Sequence, residues 1–173
     1  EGSLLREPWA MRTKAGGPYQ VFGSYHRAFL ATHPPFAPLP APGGIPAPTR
    51  WPRMVTLSEI ESSPRSARIS GLQENWSPGE RGGADLLARF CRGPLRAYPL
   101  DRDRPGRAGT SRLSPHLHFG EITPGRIVHA VGRAASVRRE VGWVKAAETF
   151  QRQIVWREFA HHLLHHFPET PAA

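Results

Sequence analysis

Eight prolines fall between Pro34 and Pro52. Proline has no N–H to donate to a helix or a sheet ladder, and it restricts the residue before it as well as itself. The stretch can therefore be neither a helix nor a central strand, and such a density of prolines predicts an extended linker of polyproline II character. Pro and Gly together make up 36 of the 173 residues, about a fifth against a usual share of roughly 12%. The reading that follows has three parts: a short leading piece at 1–32, a linker at 33–75 whose second half is polar and serine-rich, and a longer piece at 76–173.

The leading piece holds Ser3-Leu4-Leu5, a GGPY turn at Gly16 to Tyr19, and then Val21, Phe22, Tyr25, Phe29 and Leu30 at the spacing of an amphipathic helix. In the trailing piece Ser77, Pro78 and Glu80 read as the cap, first residue and capping-box partner of a helix. Residues 98–109 read as an arginine-rich loop, and a further helix is expected from about Pro124 to Arg133. The last helix, from about Val144 to Phe167, carries Phe150, Ile154, Val155, Phe159, Leu163, Leu164 and Phe167 at helical spacing and is closed by Pro168. The class expected is mainly α.

Bulk properties narrow the function. The net charge of +9 rests on 21 arginines against Lys14 and Lys145, and such an excess favours a polyanionic partner. One cysteine, Cys91, excludes an internal disulfide and any cysteine-built metal cluster. No apolar run approaches the ~20 residues that span a bilayer, and EGSLLREPW lacks the basic-then-apolar order of a signal peptide, so a cytoplasmic protein is expected. His161/His165 and His162/His166 stand at i, i+4, a metal-compatible spacing, but no HExxH accompanies them and no metal site is expected. Trp143 has the spacing of a packing residue.

TSRLSPHLHFGE, residues 110–121, carries the sharpest chemistry. Thr110, Ser111 and Ser114 surround Arg112, and Pro115 follows as if opening a helix. Unpaired N–H groups at a helix start, hydroxyls and a guanidinium together favour a phosphate. By spacing alone, an ordinary helix cap with a surface arginine is the preferred reading.

Context resolves it. Trp76 with Pro78-Gly79-Glu80, then Tyr98, Arg102-Asp103, the Thr-Ser-Arg-Leu-Ser run, Phe119 to Pro124, Trp156 to Phe159 and His162 to Pro168 occur in the order in which they occur in DNA photolyases and cryptochromes, and Tyr19 to Phe22 resembles the end of that family's antenna domain. The chain thus resembles the end of the α/β antenna domain (1–32), the interdomain linker (33–75) and the opening part of the all-helical FAD-binding domain (76–173); the resemblance implies a piece of a longer protein.

The resemblance implies FAD as cofactor, with Tyr98, Thr110, Ser111, Arg112, Leu113, Ser114, Phe150 and Arg157 binding it. Phe150, Gln153 and Arg157 lie at i, i+3 and i+7, one stripe of the last helix, with Trp156 beside it. Gln153 and Trp156 are implied to act on the lesion, and Arg102, Gln153, Trp156 and Arg157 to contact DNA. The implied function is light-driven repair of pyrimidine dimers in UV-damaged DNA by electron transfer from reduced FAD, in a monomer, with a folate or deazaflavin as an antenna pigment of the longer protein. Gln153 departs from the glutamate usual in enzymes for cyclobutane dimers and matches (6-4) photolyases and animal cryptochromes, so a (6-4) enzyme and a cryptochrome-type photoreceptor stand as alternatives. A basic chain that binds nucleic acid without specificity is a third.

Overall fold

The computed structural model describes residues 2–32, 38–40, 42–52, 54–56, 59 and 76–170. Glu1–Pro38 and Pro78–Ala173 form one compact unit, and Leu39–Ser77 a second. In the second unit residues 42–52 carry neither helix nor strand, as the proline density predicts. Leu39, Ile45, Trp51, Met54 and Val55 are all open to solvent there. Of the expected linker, residues 33–37, 41, 53, 57–58 and 60–75 lie outside the described residues.

The first unit is helical, and its described residues contain no strand. A single 3-10 turn, Pro8–Ala10, precedes α1 (Phe22–Thr32). Then come α2 (Gly79–Arg92), α3 (Pro94–Asp101), the one-turn α4 (Ser114–His118), α5 (Pro124–Arg138) and α6 (Val141–His166). Residues 2–32 pack into the same unit as the helices of the trailing piece, rather than standing apart from them.

The long helix α6 is the axis, touched by α3, α5, α1 and the 3-10 turn. Its apolar residues divide between two faces. On one, Phe150 meets Phe90 of α2 at 4.7 Å and Tyr98 of α3 at 5.0 Å between ring centroids, a cluster that locks three helices together. On the other, Phe159 meets Tyr25 of α1 at 5.1 Å. Helix α5 starts where Thr123 accepts a hydrogen bond from the Arg126 N–H at 3.2 Å, with Pro124 behind it, and buries Ile127, Val131 and Ala135. It runs five residues beyond the expected end at Arg133, because Arg138 finds partners there: its guanidinium donates to the Ala134 carbonyl at 3.1 Å and lies 4.0 Å over the buried Trp143 ring.

Two local expectations need correction. Ser77 does not cap α2; Pro78 occupies the cap position without a side-chain bond, and the chain turns into the helix through Gly79 at φ 91°, a conformation open to glycine. Residues 98–101 are not loop but the end of α3. Pro94 fits the first turn, and burial of Leu95 and Tyr98 outweighs the ladder bond that Pro99 cannot make.

Candidate functional site

The TSRLS stretch is held in place from behind. Asp101, at the end of α3, accepts ion pairs from Arg104 at 3.6 Å and Arg107 at 3.3 Å, which folds the arginine-rich loop back on itself. Gly109 then passes so close that a Cβ there would lie 2.5 Å from the Asp101 Cβ and 2.9 Å from its backbone. Only glycine fits, and the close approach sets residues 110–113 over Tyr98. Arg112 adopts a left-handed backbone, φ 56°, which costs a non-glycine residue of order 1 kcal/mol or more and turns the chain sharply. The Leu113 N–H donates to the Ser111 hydroxyl at 3.4 Å, and the Leu113 side chain is buried beneath.

The helix expected to open here is one turn of five residues, with Leu113 in an αR conformation at its cap and no side-chain bond. So short a helix has little dipole to offer an anion, and the anion-holding capacity rests on the loop's hydroxyls and Arg112 instead. Beneath it, Gly83 of α2 lets His116 approach to 3.3 Å of where a Cβ would stand, and the His116 Nδ1 meets the Glu121 carboxylate at 2.5 Å.

Between this loop and α6 lies a cavity of about 390 Å³, within the range usual for small-molecule sites, roughly 300–1,000 Å³. Thr110, Ser111, Arg112, Leu113 and Ser114 form one wall, Phe150, Gln153 and Arg157 the other, and Tyr98 the floor. All eight residues expected to bind the cofactor, and Gln153, thus line one space. Leu117 and Ile154 also line it; Ile154, four residues after Phe150, was legible as part of the same stripe, whereas nothing in the sequence marked Leu117. None of the lining residues is acidic. Burial pushes the Tyr98 hydroxyl up from its ordinary value, with Arg102 opposing.

Two expected site residues stand outside this space. Trp156 lies on the neighbouring side of α6, its indole stacked on Phe22 of α1 at 3.6 Å between centroids and 10° between planes, and 43% exposed. Arg102 sits on the outer edge, its Nε donating to Asp103 at 3.2 Å and its guanidinium 5.6 Å from the Tyr98 ring. Arg157, by contrast, reaches the mouth of the cavity, where its Nη1 donates to the Ser3 carbonyl at 2.7 Å.

Two polar residues on the far face of α6, Glu158 and His162, are buried, which nothing in the sequence marked. Both Oε2 bonds of Glu158 come from backbone, the Leu5 N–H at 2.7 Å and the Arg6 N–H at 3.1 Å. Burial raises its pKa to about 7, against the lowering effect of those bonds and of Arg157. His162 donates from Nδ1 to the Pro8 carbonyl at 3.0 Å and accepts the Tyr19 N–H on Nε2 at 3.0 Å, a pattern that requires the neutral ring. Burial accordingly lowers its pKa. Among the described residues no group of three or more His, Cys, Asp or Glu could hold a metal ion. Cys91 is half-buried, and burial raises its thiol pKa.

No helix among the described residues is long and apolar enough to cross a membrane. No protein-family model matches the chain. The chain is 40% identical over 169 residues to the deoxyribodipyrimidine photo-lyase of Agrobacterium fabrum, an alignment that covers 97% of this chain and 34% of that protein. It is 28% identical over 174 residues to Cryptochrome-1 of Arabidopsis thaliana, covering 95% and 25%. Among solved structures, a bacterial class III photolyase from Agrobacterium tumefaciens superposes with a TM-score of 0.86 at 40% identity, over 97% of this chain and 34% of that one. The chain therefore spans about a third of the length of these photolyases. Matched along nearly its whole length in both sequence and backbone, and with the TSRLS loop facing the Phe150–Arg157 stripe across one cavity, the chain is similar to about a third of a DNA photolyase.

Proposed function

We propose that the cavity between the TSRLS loop and α6 holds FAD, and that the whole protein uses it to repair pyrimidine dimers in DNA under light, as a deoxyribodipyrimidine photo-lyase. The observation that carries this reading is the composition of the cavity lining: three aliphatic hydroxyls, the Tyr98 phenol and two guanidiniums, aromatic and aliphatic faces, one amide and no acidic side chain. A diphosphate joined to a flat heteroaromatic ring is a ligand that such a wall suits. Thr110, Ser111, Arg112 and Ser114 serve the diphosphate and sugar chain, with Arg157 from across the cavity. Phe150 and Tyr98 bound the space for the ring, and Leu113, Leu117 and Ile154 keep water from it.

Held by Thr110, Ser111, Arg112, Ser114 and Arg157, reduced FAD would supply light-driven electron-transfer chemistry. The chain's share is binding and orientation. Gln153, on the cavity wall, offers both a donor and an acceptor to base edges. Arg102, at the outer edge, suits a DNA phosphate, and the net charge of +9 draws DNA in. Trp156 is left out of the wall, and stacking on a damaged base would require its pair with Phe22 to open. In the same reading residues 1–32 are the end of an antenna domain, whose folate or deazaflavin pigment belongs to the rest of the protein, and the protein acts as a cytoplasmic monomer.

Gln153 favours a second reading, a cryptochrome-type photoreceptor or a (6-4) enzyme, because an amide cannot lend the negative charge that a glutamate would. The experiment is blue-light illumination of the FAD-loaded protein with oligonucleotides carrying one cyclobutane dimer or one (6-4) photoproduct. Loss of the cyclobutane dimer supports the proposal, loss of the (6-4) product alone reassigns the lesion, and flavin photoreduction with neither lesion repaired supports the photoreceptor.

A further inference from the structure

Arg157 and Glu158 are neighbours in sequence that face different parts of the molecule. Arg157 reaches the cavity mouth, whereas the Glu158 carboxyl is buried beneath the amino-terminal segment. They are nonetheless joined. Arg157 Nη1 donates to Glu158 Oε1 at 3.4 Å and to the Ser3 carbonyl at 2.7 Å, and Glu158 Oε2 takes the Leu5 and Arg6 N–H groups at 2.7 and 3.1 Å. One carboxylate thus holds both the backbone of residues 5–6 and the guanidinium on the cavity wall.

A charge buried this fully is expensive, and an apolar side chain of similar volume would serve packing as well or better. The geometry points to a different use: Glu158 is a positioning residue for Arg157, and through it the filling of the cavity is coupled to the attachment of Ser3–Arg6. Two acceptors, Oε1 and the Ser3 carbonyl, fix where the guanidinium stands, and an ionised Oε1 also competes with an incoming anion for it. The proposal rests on the reading of the cavity as an FAD site for its ligand, but not for the link between Glu158, Arg157 and the amino-terminal segment.

The charge balance gives the link a direction. The groups that face Glu158 are Arg157 on its own helix, Arg6 and Glu7 on the amino-terminal segment and Tyr25 on α1, with His162 one turn further along α6. A phosphate brought to Arg157 repels an ionised Glu158 and favours its neutral form. By reciprocity the phosphate binds more tightly as Glu158 takes up a proton. Affinity for FAD should therefore rise as the pH falls through the titration of this carboxyl.

The test follows the Arg157 Nε–Hε signal and the Leu5 and Arg6 amides by NMR from pH 5 to 9, beside FAD affinity by flavin fluorescence, in the wild-type chain and in Glu158→Gln. In the wild type the three signals should titrate together and FAD affinity should rise about fivefold between pH 8 and 6. In the variant the signals should be flat with pH, Arg157 should move toward the position of solvated arginines, and the pH dependence of FAD affinity should vanish. Arg157→Gln should shift the wild-type Leu5 and Arg6 titration to higher pH, since a cation that favours the ionised carboxyl is gone. Independent or absent titration of the three signals in the wild type overturns the proposal even if Glu158→Gln does not fold, as does an unchanged Arg157 signal in a folded variant. A wild type that binds no FAD at any pH contradicts the cavity reading alone, and the signals without ligand still decide the role of Glu158.

Discussion

The two faces of α6 solve the same problem in opposite ways. The face toward the amino-terminal segment is closed: Glu158 and His162 are buried, and every bond they make ends on backbone of residues 5–19 or on a neighbouring side chain. The face toward the TSRLS loop is open: Gln153 and Arg157 border a cavity opposite Thr110, Ser111 and Arg112. Polar groups on the closed face are satisfied by the chain itself, so removing them costs stability. Those on the open face line a space shaped for something else, so removing them should cost affinity. The difference separates scaffold from site on a single helix.

The closed face should break most visibly at His162. Its replacement by alanine leaves the Pro8 carbonyl and the Tyr19 N–H without partners and opens a cavity, at a cost of about 4 kcal/mol. Urea unfolding of His162→Ala measures it; a loss below 1 kcal/mol would mean that the amino-terminal segment is held by other contacts.

Next in size is the pH dependence of Glu158. Its folded-state pKa of about 7 lies above the ordinary 4.5 because of burial, so its contribution to stability is greatest below pH 4.5 and is lost as the pH rises to 7. The span corresponds to about 3 kcal/mol. His162 runs the other way: its lowered pKa means that stability held above pH 6.5 is lost on further acidification. Unfolding free energies from pH 4 to 8 should therefore gain at low pH in His162→Gln relative to wild type, and lose their decline between pH 4.5 and 7 in Glu158→Gln.

Gly109→Ala strikes the support of the open face. A methyl 2.5 Å from the Asp101 Cβ must push the loop off α3, costing about 2 kcal/mol and lowering FAD affinity in titration beyond what the stability loss explains. The smallest effect should come from Trp156→Ala, about 1 kcal/mol for the lost stack on Phe22, with FAD affinity unchanged. A large loss of FAD affinity in that variant would put Trp156 back in the site and blur the division between the two faces.

The residues that line the open face stand out in the sequence. Phe150, Gln153 and Arg157 recur at helical spacing, and Thr110 to Ser114 combine hydroxyls with a guanidinium in a run too dense for chance once the other motifs stand in order around it. The closed face was illegible for a physical reason. Helical spacing does not mark a glutamate and a histidine in a charged, histidine-rich helix as buried, and their burial depends on residues 5–19, more than 140 positions away in sequence. The start of the expected arginine-rich loop, residues 98–101, is instead the end of α3, where the burial of Leu95 and Tyr98 decided for helix despite Pro99. Trp156 stood beside the cavity stripe by spacing, but spacing along α6 could not reveal that α1 would supply Phe22 to cover it.

The central claim, that the TSRLS loop and α6 together hold the diphosphate of FAD, is tested most directly by titrating FAD into the wild-type chain and Arg112→Ala and reading flavin fluorescence. Loss of a charge-assisted contact of roughly 1.5–3 kcal/mol predicts binding about tenfold to a hundredfold weaker in Arg112→Ala. Equal affinity in the two proteins, or no binding by the wild type, would contradict it.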